Sequence, residues 1–248
     1  MSSGASENYL DTLHYYIFGV VLLAALTQTL SGFGSSLVAM ALLPIWLELR
    51  QAVPLVALVS LTLEIILLIY YRDAINLRAM RRVIFGSLFG IPLGILFLRN
   101  VDAAIVLRLL GFILLGYAAY ALLRLRVPNL TKPLWGWVFG FVAGILGGAY
   151  NTSGPPVVIY GQSQNWPPNA FKANLQSFFL VNSAIVLSGH GLSGNVTAQT
   201  LNYFLFALPA AALGVFVGLK LNRYIDPLRF RQIVQLLLMV LGARLILA

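Results

Sequence analysis

The chain has 248 residues, of which 60% are hydrophobic and 9% are charged, and it contains no cysteine. Soluble globular proteins carry about 25% charged residues, so this composition excludes an ordinary soluble domain and indicates a protein that lies mostly in lipid. The lack of cysteine excludes disulfides and thiolate metal sites. The net charge of +9 is confined largely to short loops, a distribution typical of membrane topology and not of a nucleic-acid partner.

Apolar runs long enough to be transmembrane helices recur along the chain. They cover 14–31, 51–71, 83–98, 104–123, 134–149, 170–189, 197–219 and 229–247. A backbone in lipid must satisfy its own hydrogen bonds, and nothing in the sequence alternates like the strands of a barrel. The sequence therefore predicts an all-α polytopic membrane protein.

The basic residues between these runs predict the orientation. They are Arg72, Arg78, Arg81 and Arg82, then Arg124, Arg126 and Lys132, then Lys172, and finally Lys220, Arg223, Arg229 and Arg231. The positive-inside rule places these loops in the cytoplasm. Both termini then lie on the extracytoplasmic side of the cytoplasmic (inner) membrane. Segments 14–47 and 134–167 must each start and finish on one side, as a hairpin or as two short spans.

The two halves of the chain resemble each other in the same order and spacing. Phe33–Ser36 aligns with Tyr150–Ser153, and Leu88–Pro92 aligns with Leu205–Pro209 at the same offset. A hairpin plus three helices crosses the membrane an odd number of times, so the second half is predicted to be inverted, as in many secondary transporters. We predict an extracytoplasmic tail at 1–13, a first repeat at 14–125, a cytoplasmic linker at 126–133 and a second repeat at 134–248.

Two polar stretches, SGFGSS at 31–36 and YNTSGPP at 150–156, interrupt the apolar sequence. The arms that follow, 35–47 and 155–166, reach roughly 18–20 Å at about 1.5 Å per residue, which is too short for a hydrocarbon core of about 30 Å. Each break is therefore predicted to lie within the membrane. Both resemble helix starts, with Ser or Thr as caps and Pro155 at the first position. A helix N-terminus offers free N–H groups and favours an anion.

The candidate substrate-binding residues are those of the two breaks. They are Gly32, Gly34, Ser35, Ser36, Asn151, Thr152, Ser153 and Gly154. The same residue types also occur as packing glycines and self-capping polar residues in membrane helices, so both interpretations stay open. No catalytic residue and no metal ligand is predicted.

Candidates to line a path or to couple transport lie on two of the predicted spans. They are Glu64, Asn174, Gln176, Ser177 and Asn182. Glu64 is the only acid deep within a span, and such a carboxylate is a functional candidate by default. It could exchange a proton, bind a coupling cation or stay protonated as a structural donor. The polar residues of 170–189 fit a path or hydrogen bonds between helices equally well.

The stretches SGFGSSLVAMALLP and GILGGAYNTSGPPVVIY, with the short polar loops around them, resemble the TauE/SafE family of sulfite exporters. The resemblance covers residues 15–247 and implies a secondary transporter without a cofactor that exports sulfite, sulfoacetate or a related organosulfonate. It agrees with the anion site expected at the breaks. The sequence does not exclude an anion channel, which is the main alternative. A membrane-embedded enzyme is a weaker alternative because the sequence lacks an HExxH motif. A coupling ion and a homo-oligomer are left open.

Overall fold

The computed structural model describes residues 3–125, 127–221, 224 and 226–247. Within these residues the chain forms ten α-helices and no strand. They are α1 (Ser3–Ser31), α2 (Ser35–Leu42), α3 (Leu49–Tyr70), α4 (Leu77–Asn100), α5 (Ala103–Leu122), α6 (Pro133–Tyr150), α7 (Gly154–Ser163), α8 (Pro168–Leu192), α9 (Ala198–Leu221) and α10 (Pro227–Leu247). The predicted cytoplasmic residues Arg126 and Arg223 lie outside the described residues.

All helices except α2 and α7 are long and apolar enough to cross a membrane, which confirms the predicted spans and the all-α fold. Among the apolar spans, the start of α4 shifts the most. It begins at Leu77 and not at 83, because the Asn76 side chain accepts a hydrogen bond from the Ala79 N–H at 3.3 Å and caps the helix. Helix α1 begins at Ser3, so it continues through residues that were expected to form a tail, although its apolar span starts only at Thr12.

Helices α4 and α6 pack backbone against backbone through two rows of glycine. The rows are Gly86, Gly90 and Gly94 on α4, and Gly140, Gly144 and Gly148 on α6. A Cβ atom on Gly90 would lie 2.1 Å from the carbonyl oxygen of Phe141, and one on Gly144 would lie 2.3 Å from that of Ser87. Small residues spaced by four allow such close approach between membrane helices. The pair therefore forms a rigid support for the second break, which follows α6.

The helix pairs that pack together are those expected if the two halves of the chain are related by a two-fold axis. Helix α4 packs on α6 and α1 packs on α9, while α3 packs on α8 and α5 packs on α10. If α1–α5 correspond to α6–α10, the first two contacts interchange and the last two map onto themselves. This is the pattern that a two-fold relation between the halves requires. The inversion of one half across the membrane stays a prediction.

Both polar stretches interrupt the helical chain as predicted. Gly32 and Gly34, with φ of 84° and 103°, turn the backbone between α1 and α2. Asn151, with a left-handed φ of 49°, ends α6. Because α2 has 8 residues and α7 has 10, each is far shorter than a membrane span. Helix α7 begins at Gly154, so Pro155 is its second residue and not its first.

Candidate functional site

The two breaks meet at one buried cavity. The first break contributes Gly34, Ser36 and Leu37, the second contributes Asn151, Thr152, Ser153 and Gly154, and the remaining lining is Gln28, Glu64, Phe179 and Ser183. The space open to the centre of a water-sized sphere is about 20 Å³. A single water needs about 10–15 Å³ by this measure, so the cavity has room for about one water molecule.

Asn151 connects the second break to the first. Its Nδ2 atom donates to Ser60 Oγ at 3.2 Å and reaches Ser36 Oγ at 3.5 Å, and the two hydroxyl oxygens lie 3.1 Å apart. The left-handed backbone of Asn151 ends α6 and so presents the amide to α2 and α3. Two of the predicted site residues, more than a hundred positions apart in the chain, thus share one polar cluster.

Glu64 projects from α3 into the same cavity. Its carboxylate oxygen Oε1 accepts a hydrogen bond from Ser183 Oγ at 3.1 Å, while Oε2 is buried without a hydrogen-bond partner. The residue is 3% exposed, and the ion pairs found within the described residues do not include it. An unpaired buried polar atom costs about 1–3 kcal/mol. One carboxyl oxygen of Glu64 is therefore available for a further hydrogen bond at the cavity.

Asn182 supports the second break from α8. Its Nδ2 atom donates to Ser153 Oγ at 3.4 Å, and its Oδ1 atom, like that of Asn151, is buried without a partner. Ser183, the next residue along α8, bonds Glu64. Consecutive residues on α8 therefore hold the two sides of the cavity, one at the break and one at α3.

The predicted residues nearest the end of α1 contact other helices. The Ser35 hydroxyl donates to Gln28 Oε1, and Gln28 Nε2 donates to Gln176 Oε1 at 3.2 Å. The Nε2 atom of Gln176 in turn donates to the carbonyl oxygen of Gly32 at 2.8 Å. Gly32, Ser35 and Gln176 thus lie outside the lining of the central cavity. Together with Gln28 they fix the first break to α8.

Asn174 and Ser177 also lie away from the cavity. Asn174 Oδ1 accepts from the backbone N–H of Asn76 at 2.9 Å, and Ser177 Oγ donates to the carbonyl oxygen of Asn174 at 2.8 Å. These two side chains therefore make hydrogen bonds to the N-cap of α4 and within α8, and their role in a path stays a prediction.

The expected side-chain caps do not form at either helix start. Neither Gly34 nor Ser153, the residues that precede α2 and α7, makes a side-chain cap hydrogen bond. Thr152 Oγ1 donates to the carbonyl oxygen of Tyr150 at 2.9 Å instead. Pro155 and Pro156 carry no N–H, so the first turn of α7 has fewer free donors than a usual helix start. The first turn of α2 keeps its backbone donors and offers more to an anion.

Gln28, Ser60, Phe179 and Ser183 take part in the site, although the sequence did not single them out as site residues. Thr27, Gln28 and Thr29 form a polar triplet in an apolar run, which was a usable signal. A lone serine such as Ser60 carried none, because membrane helices commonly bond such hydroxyls to their own backbone.

The fold and the site together define a multi-pass membrane protein in which two interrupted helices enclose a buried polar cavity, as in transporters with broken helices. The chain matches the sulfite exporter TauE/SafE family over residues 17–245 and belongs to it. This family is one of transporters, which confirms the resemblance and disfavours a membrane enzyme.

Two relatives match across most of the chain. The probable sulfite/organosulfonate exporter TauE of Cupriavidus necator is 25% identical over 230 residues, covering 89% of this chain and 88% of its own. The probable inner membrane transporter protein TsaS of Comamonas testosteroni is 26% identical over 172 residues, covering 68% and 71%. No solved structure is significantly similar to this chain.

Proposed function

We propose that this protein is a secondary transporter that exports sulfite, sulfoacetate or a related organosulfonate across the cytoplasmic (inner) membrane, and that it binds the anion between its two helix breaks. The observation that carries this proposal is the bond from Asn151 to Ser60 and Ser36. A site built from both breaks is exposed to one side when the first moves and to the other when the second moves. Alternating access needs such a site.

The hydrogen-bond donors around the cavity suit an oxyanion and predict a modest affinity for it. Ser36, Ser153 and the Asn151 amide can donate, and the first turn of α2 adds backbone N–H groups. A helix N-terminus contributes about 0.3–1 kcal/mol, and up to about 2 when partly buried. The described residues of the lining include no lysine or arginine. Weak binding of this kind suits a carrier, which must release its substrate.

Binding requires the cavity to expand, since the present space holds about one water. The contacts among Asn151, Ser36 and Ser60 are the ones that separate, because the anion's oxygens then accept the hydrogen bonds that these groups now make to each other. The occluded arrangement is thus one state of the transport cycle.

Glu64 carries a proton while the anion is bound. Two negative charges about 5 Å apart repel by about 3 kcal/mol at an effective dielectric constant of about 20, and no basic side chain lines the cavity to offset this repulsion. A protonated carboxyl gives its unpaired Oε2 a hydrogen to donate, so it binds the anion as Ser36 does. Glu64 keeps this proton throughout the cycle, so the anion's charge is the only charge that moves.

The membrane potential favours export over uptake. An inside-negative potential assists the exit of an anion by about 2.3 kcal/mol per charge per 100 mV. A channel of similar selectivity would gain the same energy. Counterflow separates the two, since an external anion accelerates the efflux of internal anion only through a carrier.

Flux from proteoliposomes loaded with sulfite, sulfoacetate, taurine or sulfate tests the proposal. Ser36→Ala and Ser153→Ala should each weaken apparent affinity by about 0.5–1.5 kcal/mol, the net value of one hydrogen bond. The double variant should be non-additive because both donors contact one anion. Ser188→Ala is the matched control, since that exposed hydroxyl donates to its own helix at Ala184.

The outcomes separate two failures. If wild-type protein passes none of the four anions faster than empty liposomes, the proposed substrate class is wrong. If wild type transports sulfite and the Ser36/Ser153 double variant does so with unchanged affinity, the substrate binds elsewhere and the breaks serve packing alone.

A further inference from the structure

A second cavity lies on the other side of the first break. Its surface is mostly apolar and its volume is about 10 Å³, so it must widen to take an anion, as the central cavity must. Ser31, Phe33 and Gly34 contribute to its lining, as do Tyr117 of α5 and Arg231 and Gln235 of α10. Gly34 and Leu37 line both this cavity and the central one. The end of the first break and the first turn of α2 therefore separate the two spaces.

Arg231 brings to this second cavity the positive charge that the central cavity lacks. Its Nε atom is buried and has no hydrogen-bond partner, and the ion pairs formed by the described residues do not include it. By contrast, Arg229 is exposed and lies 3.6 Å from Asp226. The buried Tyr117 hydroxyl lies beside Arg231 and interacts with its guanidinium group. A forked guanidinium with a free N–H, next to a hydroxyl, is the donor set that oxyanions take.

Phe33 lies between Arg231 and the central cavity. The Arg231 guanidinium carbon is 5.0 Å from the centre of the Phe33 ring. On the other side, a Cβ atom on Gly154, at the start of α7, would lie 4.0 Å from Phe33 Cδ2. The ring is 4% exposed and is held edge-on to Tyr117 at 6.1 Å. Phe33 thus blocks the short route between the two cavities.

The backbone beside Phe33 is free to rotate on one side. Gly32 and Gly34 have φ of 84° and 103°, which glycine adopts without strain and other residues do not. Gly32 is held, because its N–H donates to the Gln28 carbonyl oxygen at 2.7 Å and its own carbonyl oxygen accepts from Gln176 at 2.8 Å. The rotation that lets the Phe33 side chain swing is therefore expected at Gly34, as at hinge residues in gated sites.

We propose that Arg231 holds the oxyanion at a waiting site beside the first break and that Phe33, hinged at Gly34, is the gate into the central cavity. This inference rests on the proposed function. Because Arg231 belongs to a predicted cytoplasmic group of basic residues, the waiting site would collect the anion before export. The substrate group that it takes is a sulfite or sulfonate oxyanion.

Initial rates of sulfite transport in proteoliposomes test the waiting site. Arg231→Gln should raise KM about tenfold or more with little change in Vmax, as expected for the loss of one charge-assisted contact. Arg231→Lys should raise KM about threefold, since a point charge replaces the fork. Arg229→Gln, two residues away on the same helix, should leave both constants unchanged.

Phe33 is tested by counterflow in the same liposomes. Phe33→Ala should speed sulfite efflux and abolish its acceleration by external sulfite, while Phe33→Leu, which still fills the gap, should keep that acceleration. Intact counterflow in Phe33→Ala would refute the gate.

An unchanged KM in Arg231→Gln or in Arg231→Lys, with wild-type transport intact, would overturn the waiting site and leave the proposed function standing. The same result is expected if the guanidinium holds a lipid phosphate instead. If Arg231→Gln fails to fold, Arg231→Lys decides the question alone. Absence of sulfite transport by the wild type would instead refute the proposed function.

Discussion

The glycine contact between α4 and α6 makes a sharp prediction about stability. Gly90→Ala places a methyl group where a Cβ would lie 2.1 Å from the Phe141 carbonyl oxygen and 2.7 Å from the Ile145 nitrogen. Real Cβ atoms essentially never come closer than 3.0 Å, so the helices must separate by nearly 1 Å. The obstructing atoms are backbone, and no rotation of a side chain relieves the clash.

The expected cost is set by two opposing effects. Overpacking costs about 1–3 kcal/mol, occasionally more, whereas Gly→Ala within a helix gains about 0.5–1 kcal/mol. Gly116→Ala is the matched control, because nothing lies within 4 Å of a Cβ built at that position in α5. We expect the melting temperature in detergent to fall for Gly90→Ala and to rise slightly for Gly116→Ala. Equal melting temperatures for Gly90→Ala and wild type would refute the backbone contact.

Two further predictions concern Glu64 and the orientation of the chain. Glu64→Gln should retain sulfite transport, because the amide still donates. It should not show the decline in flux that we expect of the wild type as rising pH removes the carboxyl proton. Lys172 and His190, the ionisable residues of α8, are present in both proteins, so their titration cancels in this comparison. A parallel decline in flux in both proteins would exclude the carboxyl as its source. Since the chain has no cysteine, Ser193→Cys and Asn129→Cys each carry one thiol. An impermeant reagent added to intact cells should label the first and not the second, and the reverse result would contradict the predicted topology.

The apolar runs predicted the helices well because a membrane helix is encoded locally, in the length and continuity of its own segment. The breaks were predictable for the same reason, since Gly32, Gly34 and Pro155 restrict or free the backbone where they occur. The short lengths of the two arms then predict that α2 and α7 lie within the membrane.

The composition of the cavity was less predictable because it depends on which helices touch. Asn151 and Ser36 were expected to lie near each other from the repeat, but Gln28 and Ser183 enter through the packing of α1 and α8. Arg231 lies about two hundred residues beyond Phe33 in the chain. In the sequence it reads as one more cytoplasmic basic residue, and only the contact of α10 with α2 brings it to the break.

The second break is more rigid than the first, which is why we propose the gate at the first. Pro155 and Pro156 restrict the backbone after the second break. Helix α6 packs on α4 through contacts between glycines and backbone carbonyl groups, which no side-chain rotation can relieve. The corresponding contact of α1 with α9 is partly made by a side chain, since a Cβ on Gly218 would meet Thr29 Cβ at 2.7 Å. The first break has Gly34 next to Phe33 and the helix start with more free N–H groups. A substrate that must pass one of the breaks therefore meets less resistance at the first. The only guanidinium among the described lining residues of the two cavities also lies there.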